Sequence, residues 1–344
     1  MQRQDDTILL IRFGSLGDLV LLTALVEALR AGLPGMEIHL VTKERYLPLF
    51  ERDRRIARVS VLPERGGAGA LWRLRNSLSG VRYGILIDAH GVLRSILLSR
   101  SLAARRRMRI EKDQIGKAAV LAGRRGGEDI VTMRERYLRL AHRLGVSDPG
   151  AMPRLDPGGR ERGSAAERFR AAGLEERPVV ALAPGARWPA KRWPAERFAE
   201  LAEILYRAGR GIVLVGGESD REVCAEVAAG VPGALDLCGR FGVMETAAAL
   251  ERADLLVTND SAPLHLAEAV GTPVVALFGP TVREFGYFPL LESSAAIEAD
   301  IRCRPCSRNG ARPCRFERLE CLEAISVRRV AETVEEALSG RKGS

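Results

Sequence analysis

Residues Ile11 to Arg30 read IRFGSLGDLVLLTALVEALR and follow directly from an apolar run, TILLIR. They place two glycines, Gly14 and Gly17, and a lone carboxylate, Asp18, at the mouth of an apolar helix. A strand that passes through a glycine turn into a helix opens a βαβ unit. The spacing is not Gly-x-Gly-x-x-Gly, which argues against a dinucleotide fingerprint and a nicotinamide-dependent oxidoreductase. Asp18 admits two readings here. It can cap the orphan N–H groups of the helix, or it can do chemistry.

The same alternation continues outward from that stretch. EIHLVT, RVSVL and YGILIDA read as further strands with amphipathic helices between them, the pattern of a parallel sheet. From Asp148 to Arg162 the chain is rich in Pro and Gly without apolar period and reads as an interdomain linker. VVALAP, GIVLVGG, ALDLCG, DLLVTND and PVVALFGP then restart the alternation. The reading is α/β, with two doubly wound parallel-sheet domains over residues 1–155 and 156–325, followed by a helix and tail over 326–344. The final helical pattern, Val327 to Leu338, could pack on either domain, including back on the first. Ligands of such sheets bind beyond the carboxyl ends of the strands, so the residues just after each strand matter most.

At 344 residues and 46% apolar content the chain can bury more than one core. Uncharged apolar runs such as LVLLTALV fall short of the ~20 residues of a spanning helix. With no signal-peptide pattern at its N-terminus, the chain is expected to be soluble and not exported. The net charge of +9 is uneven: residues 1–160 hold 29 Lys and Arg against 17 Asp and Glu, and residues 161–344 hold 24 against 27. The first half is therefore expected to face a polyanion, whether nucleic acid, anionic lipid or phosphorylated substrate. Aromatic residues make up 5% of the chain and are not interleaved with the arginines, which argues against nucleic acid.

Three later stretches carry candidate chemistry. APGARWPAKRWPAERFAELA brings Arg187, Lys191 and Arg192 just before a helix, either a seat for a phosphate chain or a stiff loop with solvated cations. In LVGGESDREV, Ser219 can cap the next helix and Glu218 can accept from a ribose or base. LLVTNDSAPLHLAEAVGTPVVALFGPT ends a strand at Asn259-Asp260, turns through Ser261 and Ala262, sets Pro263 at the first helical position and places His265 one turn in. Unpaired N–H groups and the helix dipole there suit a diphosphate, although a lone His is often structural. No Asp-x-Asp occurs in the chain, so a diphosphate is expected to be neutralised by cationic side chains, Lys191 foremost, rather than by a metal.

These motifs, with YGILIDAHGVLRS and the run from CRPC to CLEAI, resemble glycosyltransferase family 9, the ADP-heptose:lipopolysaccharide heptosyltransferases, in order and near-family spacing over nearly the whole chain. The resemblance implies a GT-B fold of two facing Rossmann-like domains, with the acceptor received by the first and the nucleotide sugar by the second. It implies that Asp18 is the catalytic base, that Lys191 contacts the donor phosphates, that Glu218 lies near the nucleoside, and that Asp260, Ser261 and His265 line the donor pocket, with Arg187 and Ala262 beside them. An inverting transfer fits a single carboxylate: one base deprotonates the acceptor hydroxyl while fixed positive charge and dipoles stabilise the leaving diphosphate. Capping and catalysis by Asp18 are then compatible. The alternatives are a related GT-B enzyme using another nucleotide sugar, and a non-catalytic nucleotide- or polyanion-binding protein.

The implied donor is ADP-heptose and the implied acceptor an anionic, phosphorylated glycolipid, with no cofactor required. Gly14, Ser15, Arg94, Arg105 and Arg106 are the acceptor-side candidates, and the arginines could equally be a solvated face. The implied location is cytoplasmic, peripheral at the inner membrane, with no nucleic-acid partner. Ala262 and the GRFGV segment at 239–243 depart from the family pattern. Cys303, Cys306, Cys314 and Cys321 form C-x2-C-x7-C-x6-C, which can hold a structural zinc or serve as reduced packing residues or a redox-sensitive pair, with catalysis independent of them. Cys224 and Cys238 are expected to be packing residues.

Overall fold

The computed structural model describes residues 6–65, 67–123, 131–147, 150–316 and 318–340. It divides into two compact units, Met1–Asp113 with Met133–Arg154, and Gln114–Thr132 with Leu155–Ser344.

In the first unit, β1 (Thr7–Ile11), β2 (Glu37–Lys43), β3 (Arg58–Leu62), β4 (Tyr83–Asp88) and β5 (Ala104–Arg109) form one parallel sheet in the order β3-β2-β1-β4-β5. Central strand β1 is covered on both faces, so Ile8 to Ile11 form an unbroken buried run instead of alternating. The helix Leu16–Gly32 that leaves it is apolar on nearly every side and packs against the helix Met133–His142. Strand β5 escaped the sequence reading because its sequence, ARRRMR, buries only Met108. It lies at the sheet edge, where charged side chains are compatible with strand structure and discourage edge pairing.

The second unit holds β6 (Val179–Ala183), β7 (Gly211–Leu214), β8 (Leu235–Asp236), β9 (Leu255–Asn259), β10 (Val274–Phe278) and β11 (Ala295–Glu298), all parallel, in the order β11-β10-β9-β6-β7-β8. The expected strand ALDLCG contributes only two residues, and β11 was not expected at all. The first two residues of the expected linker lie outside the described residues, and its last part is already the helix Gly159–Ala171.

Two further boundaries differ from expectation. The helix Gln114–Leu121, placed by sequence in the first domain, belongs to the second unit: it packs beside the turn Arg283–Phe285, and the Lys117 ammonium stands 5.4 Å from the Tyr287 ring centroid. The C-terminal helix Val327–Gly340 belongs to the second unit. Its Val330, Val334 and Leu338 enter the second unit's core with Phe198 and Leu205. Its approach is secured at Ile325, whose carbonyl accepts from Trp193 Nε1 at 3.1 Å and from the Arg197 guanidinium at 2.7 Å. The tail 341–344 lies outside the described residues.

Each sheet has one point where the direction of strand addition reverses, between β1 and β4 in the first unit and between β6 and β9 in the second. Loops leaving such a pair of strands diverge and open a crevice. Asp18, Lys191 and Asp260 lie just after the strands at those points.

Candidate active site

In the first unit Asp18 lies at the start of the helix Leu16–Gly32. Ser15 is the N-cap of the helix Leu16–Gly32, and Asp18, three residues on, reaches back to it. Asp18 Oδ2 accepts from the Ser15 hydroxyl at 2.8 Å and from the Ser15 N–H at 3.3 Å, the acidic half of a capping box. The same oxygen lies 2.6 Å from Arg12 Nη2, with the two side chains only 6% and 12% exposed. Arg12 also donates from Nε to Gly14 O at 2.9 Å and from Nη1 to Ala89 O at 2.6 Å. One guanidinium therefore ties the glycine turn, the Asp18 carboxylate and the end of β4 together, a task its planar fork can perform and an ammonium cannot. Tyr137 backs the arrangement, its hydroxyl donating to Asp18 O at 3.2 Å. Gly14 has φ +139°, and a Cβ there would stand 2.9 Å from Tyr46 Cε2, so the turn requires glycine.

Across the switch point, His90 follows β4. Its Nδ1 accepts from the Phe13 N–H at 3.3 Å, which assigns the proton of the neutral ring to Nε2. Burial, reinforced by the positive charges of Arg12 and Lys112, lowers its pKa to about 4. Asp88 turns the chain there by accepting from the N–H groups of His90 and Gly91. Arg94 is exposed on the helix Leu93–Ser101, and Arg105 is exposed on β5. Arg106 donates to the Arg143 carbonyl, in the turn after the helix Met133–His142. Sequence reasoning missed Arg12, His90 and Tyr137: Arg12 meets Ala89, His90 meets Phe13 and Tyr137 meets Asp18 only across 77 or more residues.

In the second unit β9 ends at Asn259, whose Oδ1 accepts from Trp193 N–H at 2.9 Å and whose Nδ2 donates to Pro184 O at 2.8 Å. This buried amide joins the loops leaving β6 and β9. Lys191 and Asp260 are thereby brought together, Nζ to Oδ2 at 2.5 Å, and Thr281 Oγ1 donates to the same Asp260 oxygen at 2.6 Å. Ser261 is the N-cap of the helix Ala262–Ala269, with Pro263 in its first turn. His265 is buried in that helix, its ring centroid 6.2 Å from that of Tyr287. Lys191, Asp260, Ser261, Ala262 and His265 thus occupy the loops and helix at the switch point.

Arg187 and Glu218 are set differently. Arg187 is exposed and lies 5.0 Å from the Trp188 ring centroid. Glu218 is exposed in a short turn after β7 and pairs with Arg221 at 2.9 Å. Its neighbour Asp220 approaches Gly185 so closely that a Cβ on that glycine would stand 2.2 Å from Asp220 Cγ.

The four clustered cysteines are free thiols. Burial first, then the proximity of Cys303 and Cys314, raises the Cys306 pKa, and burial lifts Cys321 to about 11, the opposite of an activated thiolate. Tetrahedral zinc needs sulfurs roughly 3.8 Å apart. Among the described residues, the set of three His, Cys, Asp or Glu ligand atoms lying within 4.8 Å of one another is Cys224, Asp236 and Cys238. Cys224 and Cys238 are buried in the second unit's core, as expected of packing residues, and are in addition joined in a disulfide. Among the described residues, no three of the four clustered cysteine sulfurs lie within 4.8 Å of one another.

Two doubly wound parallel-sheet units, with polar residues gathered at the switch point of each, define a glycosyltransferase of the GT-B class. The chain belongs to glycosyltransferase family 9 (heptosyltransferase), whose sequence profile matches residues 71–317. It is 29% identical to lipooligosaccharide heptosyltransferase 2 of Haemophilus influenzae over 84% of this chain and 87% of that protein. The solved structure of E. coli ADP-heptose LPS heptosyltransferase II shares 25% identity, with a TM-score of 0.78 and coverage of 98% of this chain and 99% of that one. The family 9 glycosyltransferase of Veillonella parvula shares the fold at a TM-score of 0.83, with 24% identity and 99% coverage of both chains.

Proposed function

We propose that this enzyme transfers a heptose, with inversion, from ADP-L-glycero-D-manno-heptose to the inner core of lipopolysaccharide. The names of the relatives support the donor and acceptor class. The observation that carries the chemistry is the Asp18 carboxylate, oriented by Arg12 and Ser15 on the first unit's switch loop. Asp18 takes the proton of the acceptor hydroxyl as that oxygen attacks the anomeric carbon. On the second unit, Lys191 and the N-terminal N–H groups of the helix Ala262–Ala269 receive the diphosphate, so the leaving charge is stabilised by fixed groups without a metal. Glu218 and Arg187, exposed in the loops after β7 and β6, would meet the nucleoside end of the donor, and Arg94, Arg105 and Arg106 the anionic acceptor.

No described helix is long and apolar enough to cross a membrane. Peripheral contact with the cytoplasmic face of the inner membrane is supported by Trp72, Leu93 and Leu97, which are 65%, 71% and 52% exposed beside Arg73, Arg94 and Arg100 on two neighbouring helices. Apolar side chains rimmed by arginine suit an anionic lipid surface.

The test is an assay of the purified protein against a panel of nucleotide sugars and truncated lipopolysaccharide acceptors. The expected result is turnover with ADP-heptose and an inner-core acceptor. Turnover with a different nucleotide sugar only would assign the chain to another transfer on the same scaffold, and ADP binding with no transfer to any acceptor would remove the enzymatic reading.

A further inference from the structure

The cysteine-bearing segment reads in sequence as separate from catalysis, yet it lies directly against a donor-side residue. Gly310, between Cys306 and Cys314, is buried with φ +80°. A Cβ built on it would stand 2.7 Å from Lys191 Cγ, 3.0 Å from Cε and 3.1 Å from Cδ. The turn is therefore in contact with the whole alkyl stem of Lys191, at a distance only a hydrogen at that position allows.

The turn is held from behind. Ser307, 4% exposed, accepts at Oγ from the Gly310 N–H at 2.9 Å and from the Arg312 N–H at 3.4 Å. Cys306 N–H donates to Pro280 O. The buried Arg304 guanidinium donates to Gly279 O and to the carbonyl of Thr281, the residue whose hydroxyl meets Asp260. Ser307 thus closes the turn, while Arg304 and the Cys306 N–H fasten it to the segment after β10, and a lysine stem pressed against it has few rotamers left.

We propose that Gly310 is a positioning residue for donor binding: the turn it closes confines the Lys191 stem and aims its ammonium at the place where Asp260 and the donor diphosphate meet it. The inference rests on the reading of Lys191 as a donor-phosphate cation. Ordering the lysine in the free protein removes an entropic cost that binding would otherwise carry. A methyl group at residue 310 must displace either the turn or the stem, and in both cases the ammonium moves.

The experiment is a double-mutant cycle on the full chain, reading ADP affinity by calorimetry together with donor KM and kcat. Gly310→Ala is expected to weaken ADP binding and raise donor KM by about tenfold, with kcat changed less than about twofold. Ser307→Ala, which loosens the turn without adding bulk, should move the same quantities in the same direction. In a Lys191→Ala background both substitutions should have no further effect. Full additivity in that background, or unchanged donor KM in Gly310→Ala, would overturn the inference. Unchanged ADP affinity in Lys191→Ala alone would instead remove the reading of Lys191, so the two failures are distinguishable.

Discussion

Arg12 Nη2 stands 2.6 Å from Asp18 Oδ2, in a pair almost withdrawn from solvent. The guanidinium also holds the carbonyls of Gly14 and Ala89, so it fixes where the carboxylate points as well as balancing its charge. Arg12→Lys keeps the charge and loses the fork. Steady-state kinetics should show kcat falling by about 10²-fold, the scale of a misplaced catalytic group, with donor affinity retained. Wild-type kcat in that variant would show that Asp18 is oriented without it.

Asp18→Asn removes the proposed base while keeping its size. Loss of general-base catalysis is worth roughly 10² to 10⁴ in rate. ADP-sugar affinity should be nearly intact by calorimetry, because the donor is assigned to the other unit. Turnover within twofold of wild type would end the assignment.

Lys191→Ala should act on the donor. Truncating one member of a buried charge pair commonly costs 2 kcal/mol or more, about thirtyfold in affinity. Donor KM should rise accordingly, and addition of a chelator to the wild-type enzyme should leave turnover unchanged. A requirement for added divalent metal would contradict the proposed neutralisation by fixed groups.

His90 supplies a pH dependence. Its pKa falls from 6.5 to about 4 in the folded protein, mainly by burial. Between those values the unfolded chain binds a proton that the folded chain does not, so stability rises with pH through this window and is lost as pH falls from 6.5 toward 4. His90→Gln retains an acceptor for the Phe13 N–H and does not titrate. Thermal melts at pH 7 and pH 4.5 should show a smaller drop in Tm for the variant than for wild type, and equal drops would refute the assignment.

The C-terminal helix is part of the second unit's core. Val334 is fully buried there, and Val334→Ala leaves a cavity the size of two methyl groups. Denaturant unfolding should show a loss of about 1–3 kcal/mol. Loss of a few tenths only would place the helix outside the cooperative core.

Much of this chain was legible residue by residue. Unbroken apolar runs such as TILLI and VVALA announce strands covered on both faces, and the turn FGSLGD and the sequence NDSAPLH mark the loops where a parallel sheet binds its ligands. Local rules also placed Asp18 at a helix mouth and Ser261 in the turn that opens a helix, because both depend on neighbours within four residues. Strand β5 was hidden for the converse reason: an edge strand with one buried side chain carries almost no periodic signal.

What the sequence by itself determined was the pair of doubly wound units, their order along the chain and the family to which they belong. Only the tertiary structure decided that Arg12 reaches Asp18 and Ala89 together, that the helix Gln114–Leu121 joins the second unit, that Cys224 meets Cys238, and that Gly310 lies on Lys191. The difference is physical. Apolar periodicity and capping are short-range properties written into consecutive residues, whereas a guanidinium fork or a hydrogen-sized gap over a lysine stem exists only after folding has brought distant segments within a few ångströms.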